Sequence, residues 1–228
     1  MPRTPDIREI EEARAYILQR LTNQRLLEDE LGAEFKEAAE RIALIVMKYR
    51  QRGMRLRFTG AGAMPREIEA VIEWLRQQID EHVNYYCIPE EAEEDEEDDI
   101  IAHIHGEDHG YTYEERETLY MSNFLMALNE MDFDEYDDIE TIVEAIAEAV
   151  EQPEKRMNLL ALNSVAIAFA YLAEQHALAR GTIGFYTYPG SSNPCPFCID
   201  RFYIFQPITN ERPPYHPRCA CLCVYVFE

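Results

Sequence analysis

CPFCIDRFYIFQPITNERPPYHPRCAC, residues 195–221, decides the fold of the C-terminal quarter of this chain. It places Cys195 and Cys198 on one turn and His216, Cys219 and Cys221 on a second, with an aromatic and β-branched run between them. Thiolate and imidazole are the ligands of a closed structural zinc site, and two ligand pairs on separate turns are how a short segment supplies four of them. With this run, the flanking TIGFYTYPG from Thr182 and CLCVYVFE from Cys221 predict three short strands punctuated by Pro, Gly, Ser and Asn. Residues 181–228 are too few to bury a self-sufficient core, so a metal staple and the strands explain each other.

Distance decides which ligands are preferred. Residues two apart on a strand are about 6.6 Å apart at a rise of ~3.3 Å per residue. Two sulfurs on one tetrahedral zinc lie about 3.8 Å apart at bonds of ~2.3 Å. Cys219 and Cys221 therefore share an ion only where the strand bends, whereas His216 and Cys219 close readily around Pro217. The first-choice shell is Cys195, Cys198, His216 and Cys219, with Cys221 as the substitute ligand that can displace His216. Five candidates competing for one ion favour a closed site over an open catalytic one. Structural Zn2+ is the expected cofactor, no catalytic residue is assigned, and the chain is not expected to be an enzyme. The competing interpretation is a set of unliganded core cysteines or one disulfide, but the CxxC pair, the HPxC turn and the strand punctuation agree on zinc. Cys87 and Cys223 read as buried small hydrophobes.

The rest of the chain has helical periodicity. Helices are expected over residues 6–31, ended by Gly32, then over 35–49, 65–83, 113–131 and 137–151, with Pro153 breaking the run before a long helix over 154–180 that Gly181 stops. The centre of that last helix, LLALNSVAIAFAYLA, is apolar on nearly every face and broken by Asn163 and Ser164. It reads as a core helix, shorter than the ~20 apolar residues of a membrane span, and no membrane partner is expected. His176 reads as a packed or surface histidine. The expected class is α+β, a mostly α-helical body with a small C-terminal zinc-stapled β module. Its expected division is a helical region 1–85, an acidic linker 86–110, a helical core region 111–180 and a β module 181–228.

Charge is distributed unevenly along this division. Residues 86–180 carry 4 basic and 26 acidic side chains, a net charge of −22 out of −23 for the chain. Such a surface repels phosphate, so DNA contact is not expected there, and a basic protein partner fits better. Residues 90–99, nine acids in ten positions, read as a solvated loop. The basic run of residues 48–57, with Lys48, Arg50, Arg52, Arg55 and Arg57, is the one place where DNA contact is weighed, against a solvated helix end that pairs with the acidic block. His103, His105, Asp108 and His109 are metal-ligand types, but their irregular spacing among glycines reads as a polar turn. The charged N-terminal residues carry no secretory signal pattern, and clustered cysteines suit a reducing cytoplasm.

CPFC followed by PPYHPRCAC and a terminal strand resembles the closing motif of the head morphogenesis domain of Mu F-like phage minor head proteins, whose pattern is CxxC, then PPxHPxCRC. The helical region leading into GTIGFYTYPGSS is also similar to that family. The likeness covers about residues 180–226. Ala220 stands where the family has Arg, and the glycine that usually follows CxxC is missing from CIDRFYIFQ. The resemblance implies a virion protein, present in few copies and associated with the portal vertex or head interior, that is synthesised in the host cytoplasm. Its implied partners are portal or coat proteins, and self-association is left open. Two other classes are weighed. A metal-dependent nuclease or toxin-like enzyme lacks a nucleophile motif and a phosphate loop. A zinc-ribbon adaptor would need a basic terminal module, but residues 181–228 carry 3 basic and 3 acidic side chains.

Overall fold

The structure is a computed structural model that describes residues 3–54, 64–106, 111–190, 198–210 and 219–227. It is an α+β fold in which five helices form the body and a small antiparallel sheet lies near the C-terminus. The helices are α1 (Ile7–Gln51), α2 (Arg66–Cys87), α3 (Glu94–Ile104), α4 (Tyr113–Glu130) and α5 (Ile139–Ala179). The strands are β1 (Thr182–Tyr188), β2 (Phe205–Pro207) and β3 (Leu222–Phe227), in sheet order β2-β1-β3.

Three expectations about the helices are corrected. Gly32 does not stop the first helix, because α1 runs through it without interruption. Leu27, Leu31, Phe35, Ala39, Ile42 and Val46 are all buried at helical spacing across the glycine, and the ~1 kcal/mol that a mid-helix glycine costs is small beside that burial. Pro153 does not break α5 either. It is itself buried on the stripe of Ile146, Val150 and Met157, so packing on both sides carries the helix past the missing N–H. The acidic run is likewise no loop from Glu94 onward, since it opens α3. Glu94, Asp95, Glu96 and Glu97 fill the first turn, where the helix dipole favours carboxylates. The Glu96 carboxylate accepts the Glu93 N–H at 2.9 Å, and Ile100 and Ile104 anchor the following turns.

Chain contacts gather the protein into two compact units. The first comprises Met1–Leu27, Asn84–Gly106 and Ala161–Glu228, and the second Glu28–Val83 and Glu107–Leu160. In the second unit Phe35 and Phe124 pack with ring centroids 6.0 Å apart, and the Arg41 guanidinium lies 3.7 Å over the Trp74 ring. Within that unit the basic end of α1 is tied down, as Arg50 donates to the Tyr136 carbonyl and the Tyr49 hydroxyl meets Glu67 at 3.1 Å. Arg55 and Arg57 lie outside the described residues. An 18-residue stretch of α5 has a mean hydropathy of 1.4 and is 56% buried inside the protein, as a core helix is.

In the first unit, Gly181 ends α5 at φ +75°, a conformation glycine adopts freely, and turns the chain into β1. The three predicted strands are present. β1 is the central strand, pairing Tyr186 with Phe205 of β2 and with Val224 of β3, both antiparallel. On β3, Leu222, Val224 and Val226 are buried while Cys223 is only half-buried on the opposite face, so Cys223 departs from the expected core cysteine. Cys87 is fully buried as expected, and that burial pushes its thiol pKa well up.

Candidate metal centre

Three of the five predicted ligands come together. Cys198 caps the 3-10 turn Ile199–Arg201, and its carbonyl accepts the Arg201 N–H at 2.9 Å. Cys219 and Cys221 directly precede β3, whose first residue Leu222 is paired with Tyr188 at the end of β1. Cys219–Ala220–Cys221 is not assigned to a strand, and the sulfurs of Cys219 and Cys221 converge more closely than neighbours on one face of an extended chain would. The sulfurs of Cys198, Cys219 and Cys221 all lie within 4.8 Å of one another, and Cys198 Sγ and Cys219 Sγ are 3.7 Å apart. No described cysteine forms a disulfide. The separation fits two thiolates on one tetrahedral ion, about 3.8 Å for zinc. Cys195 and His216 lie outside the described residues.

The cluster is sealed. Cys198 and Cys219 are fully buried, Cys221 nearly so, and Phe202 packs against the cluster. The Cys221 thiol is pushed well up by hydrogen bonding with Cys219, by burial and by hydrogen bonding with Cys198. Close backbone approach shapes the site from the far end of β1. A Cβ on Gly190 would overlap the carbonyl oxygen of Ala220, between two of the cysteines, so this residue must be glycine.

Sequence reasoning missed Arg20. It lies on α1, is 1% exposed, and donates from its guanidinium to the Cys219 carbonyl. Its Nε has no hydrogen-bond partner among the described residues. Burial lowers its pKa. It also shares with Cys221 the wall of a cavity of about 40 Å³. On the same face of α1, the Tyr16 hydroxyl donates to the Phe169 carbonyl at 2.8 Å and Gln24 Nε2 to the Leu162 carbonyl at 2.7 Å. The signal was present in the sequence. Stepping back from Leu27 by three and then four residues reaches Gln24 and Arg20, whereas the apolar Ile17 and Leu21 lie one position off the buried face.

The histidines set aside as a metal site have other neighbours. His103 stacks on Tyr171 with ring centroids 4.2 Å apart, and His105 Nε2 lies 3.4 Å from Asn84 Oδ1. His176, read as packed or surface, meets the Glu96 carboxylate of α3 at 2.8 Å. Asp108 and His109 lie outside the described residues. Compared with known protein families, curated proteins and solved structures, the chain has no match in any of the three.

Proposed function

We propose that the chain is a phage virion protein, a minor head component acting at the portal vertex or head interior, whose C-terminal module is held by a structural zinc ion. The observation that carries this reading is the convergence of Cys198, Cys219 and Cys221 at the start of β3, together with the order of CPFC and PPYHPRCAC that resembles head morphogenesis proteins. Cys198, Cys219 and Cys221 would hold the ion, with the fourth ligand from Cys195 or His216. Thiolate-rich sites select zinc, copper(I) or iron–sulfur clusters over hard cations, and a buried shell of sulfur with imidazole suits zinc. The ion supplies a tetrahedral junction between two turns, and structural zinc of this kind contributes roughly 10–16 kcal/mol to folding.

The module then acts as a rigid knob and the helices as a docking arm. The acidic surface suits a basic face of a portal or coat partner and repels packaged DNA. The test is quantitative mass spectrometry of purified particles from the source, counting this chain against the portal protein. The expected result is a small, fixed number of copies per particle with about one zinc per chain. Absence from particles at every stage of assembly overturns the virion reading, whatever the metal content.

A further inference from the structure

We propose that Arg20 is the counter-cation of the thiolate metal site, so that the first helix sets how tightly the C-terminal module holds its ion. The proposal rests on the reading of Cys198, Cys219 and Cys221 as metal ligands, and its grounds are burial and charge. An arginine side chain is protonated throughout the physiological range, and an isolated charge is expensive to bury. Arg20 is nonetheless 1% exposed, has no carboxylate partner among the described residues, and leaves its Nε without a hydrogen bond. Its guanidinium is bonded to the backbone carbonyl of a candidate ligand, Cys219, and shares a small cavity wall with another, Cys221.

Charge balance explains why a cation sits there. A divalent ion that replaces three thiol protons, which leave to solvent, forms a centre of net charge −1, and a neutral fourth ligand leaves that unchanged. Arg20 brings the buried group to zero when His216 is the fourth ligand, and to −1 when it is Cys195, whose thiolate adds a further negative charge. Arg20 is a buried cation with no carboxylate beside it among the described residues, and a metal-bound thiolate shell is a buried anion. Metal binding therefore resolves two costs together, the buried cation and the buried anionic shell. Groups just outside a metal's ligand shell commonly change affinity 10–100-fold.

The test uses the full-length chain, loaded with Co2+ or Zn2+, and compares wild type with Arg20→Met and Arg20→Lys. Wild type is expected to bind one Co2+ with the sulfur-to-metal charge-transfer absorption of several thiolates. Arg20→Met is expected to keep that absorption per bound ion while losing about 10–100-fold in affinity by chelator competition. Arg20→Lys is expected to recover most of the loss. Melting of the metal-free Arg20→Met chain is expected at or above the wild-type temperature, because a lone buried charge has been removed, while the gain in melting temperature on adding metal shrinks. Equal loss in the Met and Lys variants, or a metal-free Arg20→Met chain that melts well below wild type, makes Arg20 a packing and hydrogen-bonding residue and overturns the proposal. Unchanged affinity in Arg20→Met overturns it as well. Wild-type protein that binds no Co2+ through sulfur overturns the metal reading itself, an outcome separate from any difference among the variants.

Discussion

Glu117 of α4 lies fully buried in the second unit, with Oε2 accepting from Arg76 Nε of α2 at 2.9 Å and Oε1 without a partner among the described residues. The two ends of this ion pair respond differently. Arg76 keeps 38% of its side chain exposed, and the carboxylate holds it more firmly charged. On Glu117, burial and the nearby charge of Asp80 outweigh Arg76, and its pKa is pushed up from 4.5 to about 7. A carboxyl raised in the folded state stabilises the fold fully below its unfolded pKa of 4.5, and that contribution is lost as pH rises through about 7. Glu117→Gln retains an acceptor for Arg76 and removes the titration. The variant is therefore expected to gain on wild type by about 1–3 kcal/mol between pH 5 and pH 8. Paired denaturant melts at the two pH values measure this, and a difference that stays constant with pH refutes the assignment.

At the scale of elements, continuous burial decides where helices run. Gly32 in α1 is not in the left-handed conformation, and nothing lies within 4 Å of where its Cβ would be. Gly32→Ala is therefore expected to stabilise the chain by about 0.5–1 kcal/mol, seen as a higher denaturation midpoint at an unchanged slope. A neutral or destabilising result would mean that α1 does not need helical geometry at that residue. The same physics explains what could and could not be read from the sequence. The strands were legible because alternating β-branched and aromatic residues between Gly, Pro and Asn admit few other structures. The first and last helices were legible as helices but not in their extents, because Gly32 and Pro153 are local signals of a few kcal/mol, set against burial that accumulates along whole stripes, whereas α4 was legible to within a residue. The acids of α3 misled for a related reason. Counted as charge they look like solvent-exposed loop, yet in a first turn, with Ile100 and Ile104 behind them, they favour a helix. At the site, cysteine spacing pointed to Cys198, Cys219 and Cys221 among the candidate ligands, and the sulfurs of these three converge. Arg20 was hidden because an arginine in a charged helix is ordinarily solvated.

For the whole molecule, local stability should differ between the two units according to what holds each together. The second unit is built from helical stripes around Phe35, Phe124 and Ile146, and none of its described residues belongs to the thiol cluster. In the first unit the sheet has few residues of its own: β2 spans three residues at an edge, and β3 begins one residue after Cys221. Two of the segments that must meet there, around Cys198 and around Cys219, are joined through the thiol cluster rather than through strand pairing. An ion bridging those thiols would thus restrain the turn at Ile199–Arg201 against the start of β3, beside the backbone bridge of Phe202 to Thr187 and the Tyr203 N–H bond to the Thr187 carbonyl at 2.9 Å. Stripping metal with a strong chelator and following amide hydrogen exchange is expected to remove protection from β2 and Ile199–Arg201 first and from β3 next. The core amides of α2 and α4 should exchange at their original rates. The pairing of Phe185 with Tyr225 and of Tyr186 with Val224 in the middle of the two strands should slow the loss in β1 but not prevent it. If the strands keep full protection after the metal is gone, apolar burial of Phe185, Val224 and Val226 is sufficient to hold the sheet, and the ion is a passenger rather than a staple. If α2 and α4 lose protection together with the strands, the chain unfolds as one cooperative body, and removing the ion destabilises both units at once.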